Sequence, residues 1–465
     1  MIADHSVTAL EAITGAGGIK TGDALRAIHP GSDPHNLDAG LMVIPRNVEQ
    51  VCAVVKFCND NRIAIVPHGG RTGLAGGAVS QRDEIILSLA ALNRIESVQA
   101  AAGTAIVESG VTLQALQEEA AKVGLTTGID IPSRGSATIG GMISTNAGGM
   151  EAFRLGVMRQ RVLGLEVVLP DGSVMSDLAE VTKSNEGYDL KQLFIGAEGT
   201  LGIVTRAVLA LAPVDRFTAT ALVACPSAAT AVSLFQTLRQ DRALRLLRTE
   251  FMAQTYFSLA VEALGPASLA AFTAAPVYLI VETEGLDQQA AQTALEEALG
   301  AAIENELVLD AIIAQSGKER NDIWNIREDS NVITRAYPHG YWFDISVPLQ
   351  HLDAYLRQFD RGVAALGADV RGFAFGHLGD GNIHFNVSQP VGADKDAFLD
   401  RWHDMNDVVH GIVLEYGGSI SAEHGIGFMK RDELAHVKDP VALELMRTLK
   451  ATLDQIGKRR VGKEC

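Results

Sequence analysis

Two short segments in the second half of the chain carry residue types that do chemistry. The first is Gly376-His377-Leu378-Gly379-Asp380-Gly381-Asn382-Ile383-His384. Its Gly379-Asp380-Gly381-Asn382 core reads as a tight turn between β-type runs at 369–376 and 383–388. His377 and His384 then flank the turn on neighbouring strands, where two imidazoles are able to share a divalent metal. A histidine pair alone is more often one structural and one surface side chain. The second segment, Ser421-Ala422-Glu423-His424-Gly425-Ile426-Gly427, shifts that balance. Glu423 offers a third ligand, and His424 offers a base that titrates near neutrality. Arg327 lies upstream in Trp324-Asn325-Ile326-Arg327-Glu328, on a charged helical stretch. Its planar fork suits a carboxylate, although most arginines simply pair with a nearby acid.

The first half holds glycine-rich loops instead. Pro67-His68-Gly69-Gly70-Arg71-Thr72-Gly73-Leu74-Ala75-Gly76-Gly77 follows a β-type run. Glycine permits positive φ and lets backbone N–H groups approach an anion, so a pyrophosphate is the natural guest. The loop is neither GxGxxG entering a helix nor a P-loop, which disfavours Rossmann and Walker sites. A second loop, 133–149, places Ser133, Thr138, Thr145 and Asn146 beside Gly135, Gly140, Gly141, Gly148 and Gly149. Hydroxyls and an amide there suit hydrogen bonds to phosphate or a polar ring edge. A third, Gly196-Ala197-Glu198-Gly199-Thr200-Leu201-Gly202, enters a strand.

The elements that must position these residues follow from periodicity. Residues 45–61 and 112–123 read as helices. Short strands are expected at 62–67 and 84–89, a hairpin at 162–175 and a long strand at 202–211. After Pro213 strands alternate with helices: strands at 217–225, 244–250, 276–283 and 305–311, helices at 227–240, 251–264 and 286–299. A charged helix at 316–331, a strand at 341–347, a helix at 349–366, the β-rich run 369–388 and one helix at 395–416 complete the pattern. This is an α+β arrangement of ferredoxin-like units behind a boundary near 214. Three segments are expected: 1–213, 214–415 and a C-terminal 416–465.

Composition bounds the function. The 465 residues are 47% hydrophobic, enough for two or three domains. A net charge of −17, from 39 basic and 56 acidic residues, argues against nucleic acid and anionic lipid as partners. Cys52, Cys58, Cys225 and Cys465 are scattered, with no CxxC, so neither a disulfide framework nor a thiolate metal site is implied. No secretory signal and no membrane-spanning apolar run is read, which points to a cytoplasmic chain.

In their order, the three glycine segments, with 162–168 and 187–202, resemble the FAD-binding domain of the vanillyl-alcohol-oxidase-like (PCMH-type) flavoproteins. The branch is that of D-lactate and D-2-hydroxyglutarate dehydrogenases and the glycolate oxidase flavin subunit. The resemblance covers roughly residues 40–450. It implies a PCMH-type FAD domain, then an α+β substrate domain of the FAD-oxidase C-terminal type. It places FAD against Pro67, His68, Gly69, Gly70, Arg71, Thr72, Gly73, Leu74, Gly76 and Gly77. The second set of contacts is Ser133, Gly135, Thr138, Ile139, Gly140, Gly141, Thr145, Asn146, Gly148 and Gly149. Glu198, Gly199, Gly202, Ile203 and Asn382 complete the set. Covalent-flavin members carry a His after the paired glycines; here Arg71 and Thr72 stand there, so non-covalent FAD is expected.

The resemblance also matches His377, His384 and Glu423 to metal ligands (zinc or manganese), His424 to the catalytic base and Arg327 to the substrate carboxylate. It implies FAD-dependent oxidation of a D-2-hydroxy acid to the 2-oxo acid by hydride transfer to flavin N5. Electrons would pass on to an electron-transfer flavoprotein, quinone or cytochrome, and a homodimer is compatible. Two departures are informative. Hydroxyglutarate members carry a Thr four residues after the Arg and a Lys just before the following Asp. Here those positions read as Asn331 and Phe343, both assigned to the substrate, with Asp344 next. Phe343 cannot pair with a second carboxylate, which favours a monocarboxylic, D-lactate-like substrate over D-2-hydroxyglutarate. Arg335 and His339 are the alternative cations nearby. Relatives also close with Asn-Pro-Gly-Lys, whereas this chain reads Ile456-Gly457-Lys458-Arg459-Arg460, taken as a solvated tail. The competing readings are an O₂-using oxidase and a non-catalytic flavin-binding subunit of a larger complex.

Overall fold

The computed structural model describes residues 2–389, 392 and 394–454; the basic tail at 458–460 and Cys465 lie outside them. The chain divides into two compact units. One comprises 1–149, 155–214 and 423–465, and the other 150–154 and 215–422. The C-terminal segment from Glu423 on is grouped with the first unit. The excursion at 150–154 carries no marker in the sequence.

The first unit contains two main sheets. A four-stranded sheet has the order Ile19–Thr21, Leu41–Val43, Glu84–Ser88, Ala64–His68. An antiparallel five-stranded sheet has the order Ile95–Gln99, Thr104–Glu108, Ile203–Ala210, Val162–Val168, Val174–Asp177. The Pro170-Asp171-Gly172 turn joins the last two as a hairpin, with Asp171 accepting from the Ser173 amide. Asn47 caps the helix Val48–Asp60, whose Val51, Val54, Val55 and Cys58 are buried. Cys52 and Cys58 sit on different sides of this helix, one partly exposed and one buried. Among the described residues no helix is long and apolar enough to cross a membrane.

The second unit is one seven-stranded antiparallel sheet with helices on both faces. Its order is Asp310–Ile313, Thr218–Cys225, Val277–Glu284, Arg245–Ala253, Arg371–His377, Asn382–Gln389, His339–Ser346. Side-chain alternation explains how one sheet serves both core and chemistry. On Asn382–Gln389, Ile383, Phe385 and Val387 enter the larger core with the helices Ala228–Gln240, Gln288–Glu304, Leu352–Leu366 and Trp402–Glu415. The alternate residues Asn382, His384, Asn386 and Ser388 face the other way. That second face is covered by Gln254–Leu264, Gly317–Glu328 and Asn331–Ala336, which pack Tyr256, Trp324, Ile326 and Ile333 against Phe373 and Phe375. The helix expected over 395–416 is two, Lys395–Leu399 and Trp402–Glu415, and the Arg401 guanidinium between them donates to the Leu366 carbonyl.

Candidate active site

In the second unit the strand register brings the two histidines together. His377 ends Arg371–His377 and lies opposite Asn382, while His384 lies between Phe375 and Asp344 on the flanking strands. The imidazole centroids are 5.5 Å apart and nearly perpendicular. Each ring is backed by a carboxylate. His377 Nδ1 lies 2.8 and 3.0 Å from the two Glu250 oxygens, and His384 Nδ1 lies 3.5 Å from Asp344 Oδ1. A carboxylate behind Nδ1 fixes the ring and supports Nε2 as a metal ligand. The donor set therefore fits a divalent cation.

Glu250 is fully buried and does a second job. Its Oε2 lies 2.7 Å from Arg327 NH2. Burial pushes the Glu250 carboxyl up, but His377 and Arg327 outweigh it and hold the group below the usual carboxylate range. Arg327 sits in the last turn of Gly317–Glu328, where a cation complements the helix dipole. Its guanidinium carbon lies 4.9 Å from the Phe375 ring centroid, a cation–π distance. Asn331 is exposed at the start of the separate helix Asn331–Ala336.

The structure corrects the placement of Phe343. Odd-numbered residues of His339–Ser346 face the larger core, so Phe343 packs there, its ring edge-on to His410 at 5.5 Å. The site face of this strand carries Trp342 and Asp344 instead. The two alternative cations are also placed elsewhere. His339 shares the parity of Phe343, and Arg335 pairs with Asp329 at 2.9 Å.

Sequence reasoning missed Glu250 and Phe375. Glu250 is a lone acid in the apolar strand Leu-Leu-Arg-Thr-Glu-Phe-Met, a signal for a buried partner. Its partner lies 127 residues away, so only the sheet register identifies it.

In the first unit the C-terminal segment packs on all three glycine loops. Phe428 and Met429 amides donate to the Ala75 carbonyl at 3.0 and 3.2 Å, and a Cβ on Gly427 would meet that oxygen at 2.0 Å. A Cβ on Gly148 would lie 2.8 Å from Glu423 Oε1. The Gly427 amide donates to Glu198, at 3.0 Å from Oε2, and burial raises the Glu198 carboxyl despite amides from Gly427 and Ile426. Arg71, Asn146 and Glu198, one per loop, adopt φ of 57°, 53° and 50°. Non-glycine residues held in this region often mark functional sites.

The second loop is less of a loop than its glycines suggest. Residues Ile139–Thr145 form a helix, capped by Thr138 Oγ1 accepting from the Gly141 amide at 3.4 Å. Ile139 and Ile203 are core side chains. Gly140 packs on Ser109, and Gly202 on Val167 and Phe194, so these glycines are required by chain packing as well. Three buried polar atoms, His68 Nδ1 and Arg71 Nε in the first loop and Ser109 Oγ beside Gly140 of the second, lack a hydrogen-bond partner among the described residues. A polar cofactor there would satisfy them.

His68 is fully buried, with Nε2 2.8 Å from the Ala78 carbonyl, and burial lowers its pKa to about 4. The unfolded chain binds the proton first as pH falls. Stability is therefore lost below the unfolded value near 6.5 and levels off near 4. Between pH 7 and pH 5 the expected loss is about 2 kcal/mol. Urea midpoints at the two pH values should show it in the parent protein, and His68→Gln should remove that share.

The comparisons with known proteins agree with this architecture. A family model described as an FAD binding domain matches 39–177, and one for the C-terminal domain of FAD linked oxidases matches 214–456. D-2-hydroxyglutarate dehydrogenase of Stutzerimonas stutzeri is 36% identical over 425 residues, 91% of this chain and 90% of the relative. The mitochondrial D-2-hydroxyglutarate dehydrogenase of Bos taurus is 35% identical, covering 90% of this chain and 75% of the relative. A putative mitochondrial D-lactate dehydrogenase of Schizosaccharomyces pombe is 30% identical, covering 98% and 89%. Among solved structures, p-cresol methylhydroxylase with substrate bound superimposes with a TM-score of 0.79 at 18% identity, covering 99% of this chain and 96% of that one. The fold is that of the PCMH-type flavoproteins. The chain belongs to the FAD-dependent D-2-hydroxy acid dehydrogenases within the FAD-linked oxidases, and is an oxidoreductase.

Proposed function

We propose that this protein catalyses the FAD-dependent, metal-assisted oxidation of a monocarboxylic D-2-hydroxy acid to the 2-oxo acid. The observation that carries the reading is the arrangement on one sheet face: Arg327, Glu250, His377, His384 and Asp344 in a continuous chain of contacts. FAD, when bound, would supply the hydride acceptor, and a zinc or manganese ion, which His377, His384 and Glu423 would hold, would supply Lewis acidity that eases loss of the α-hydroxyl proton.

The protein's own groups do the rest. Arg327 holds the substrate carboxylate through its fork. Glu250 orients Arg327 and His377 together. The Ala422 amide donates to Asp344 Oδ2 at 3.1 Å, which ties down the residue that precedes Glu423 and His424 in the chain. His424 takes the hydroxyl proton. An external carrier, an electron-transfer flavoprotein, a quinone or a cytochrome, would reoxidise the flavin.

A second reading, D-2-hydroxyglutarate oxidation, is favoured by the names of the relatives at 36% and 35% identity. A panel of D- and L-2-hydroxy acids with an artificial acceptor tests both. Turnover confined to D-monocarboxylates supports the proposal, a preference for D-2-hydroxyglutarate replaces it, and no turnover of any member rejects both. Stoichiometric peroxide would identify an oxidase. Chelation should abolish turnover while leaving the oxidised-flavin absorbance intact, with recovery on adding zinc or manganese.

A further inference from the structure

Phe375 is the hub of the site face. Tyr256 stacks on it at 4.4 Å, the Arg327 guanidinium carbon lies 4.9 Å from its centroid, and His384 lies 5.4 Å away. The fourth neighbour is Trp342, edge-on at 6.1 Å and 83°. Phe375 is 3% exposed, whereas Trp342 keeps 42% of its surface open. An open indole beside a buried polar cluster is not core packing, since the same strand sends Phe343 and Ile345 into the core on its other face.

We infer that Trp342 is a specificity-determining residue: it forms the wall against which the substituent beyond the substrate's carboxylate and hydroxyl carbons packs. Arg327 and Trp342 border the same ring. A substrate held by Arg327 and brought to His384 therefore directs its side chain along the Phe375–Trp342 surface. That surface selects by hydrophobic contact. It also selects against a second negative charge. Asp344 projects two residues along the same face, and among the described residues of this unit Arg248, Arg320 and Arg327 are each paired with Glu282 or Glu250. A distal carboxylate there meets an indole and an acid instead of an uncommitted cation. The substrate class is thus a D-2-hydroxy acid with an apolar branched or aromatic side chain.

This inference rests on the proposed oxidation, and the test separates the two. Steady-state kinetics with an artificial acceptor compare D-lactate, D-2-hydroxy-4-methylpentanoate and D-2-hydroxyglutarate on the parent enzyme, Trp342→Ala and Trp342→Phe. The parent should prefer the branched acid. Trp342→Ala should lower kcat/KM for it by about 10- to 100-fold, chiefly through KM, since each apolar group in a pocket is worth roughly that much. D-lactate should change less than about threefold, lacking the extra groups, and Trp342→Phe should restore most of the loss. Trp342 is one of three tryptophans, so binding of the branched 2-oxo acid should quench part of the indole fluorescence. Trp342→Phe should abolish that quench. Equal losses on all substrates or no loss on any would overturn the inference while leaving the proposed oxidation standing, and a parent preference for D-2-hydroxyglutarate would overturn the inference and replace the monocarboxylic substrate while leaving D-2-hydroxy acid oxidation standing. A parent that oxidises none of the three overturns both.

Discussion

Replacing His424 by alanine is expected to lower kcat by about 10²- to 10⁴-fold, the range a positioned base contributes, with flavin content unchanged. The physical case begins with placement. His424 follows Glu423 and precedes Gly425, whose φ of +80° turns the chain away. A Cβ at position 425 would come within 2.2 Å of Glu198 Oε1, so the backbone next to His424 is pinned on the third glycine loop. His424 itself is only partly buried, so its removal opens no core cavity. Exogenous imidazole should recover part of the rate in the alanine variant, an effect that a purely structural role would not give. Unchanged turnover would remove His424 from the reaction, whereas absence of turnover in the parent protein itself would favour the reading of a non-catalytic flavin-binding subunit.

Arg327→Met carries the second large effect, on two observables at once. Losing the fork proposed to meet the substrate carboxylate should lower kcat/KM by about 10²-fold or more, because charge-assisted bidentate contacts are the strong ones. The variant also strands Glu250. That carboxylate is fully buried and shared between Arg327 and His377. Removing one partner of a buried ion pair costs about 3–5 kcal/mol. Adding Glu250→Gln should recover most of the stability, read as the urea midpoint, without restoring turnover. If the double variant stays as unstable as the single one, the pair is not what holds the helix Gly317–Glu328 to the sheet.

Much of this site was legible in the sequence because its motifs are local. The turn at 379–382 fixed the relation between His377 and His384, and the Glu423-His424 pair lies in one run of seven residues. Glycine loops announced themselves by composition, although Gly140 and Gly202 turn out to be needed for close packing too. What remained illegible depends on pairing across the chain. Glu250 meets His377 only because Arg245–Ala253 lies beside Arg371–His377 in the sheet. The misplacement of Phe343 has the same origin. A one-residue uncertainty along a strand changes the face on which a side chain emerges, and no composition rule resolves it.

That alternation constrains how the enzyme is able to change. In His339–Ser346 Tyr341, Phe343 and Ile345 pack on the core, while Trp342 and Asp344 emerge on the face that carries His384. Substitution at 342 is therefore a route to a new substrate range that leaves the hydrophobic layer untouched. Deletion or insertion of a single residue within the strand is not, because it would drive Asp344 into an apolar core and turn Phe343 toward the histidines. Descendants of this chain should diversify by exchanging side chains within a strand of fixed length, and variation in length should be confined to the turns at its ends.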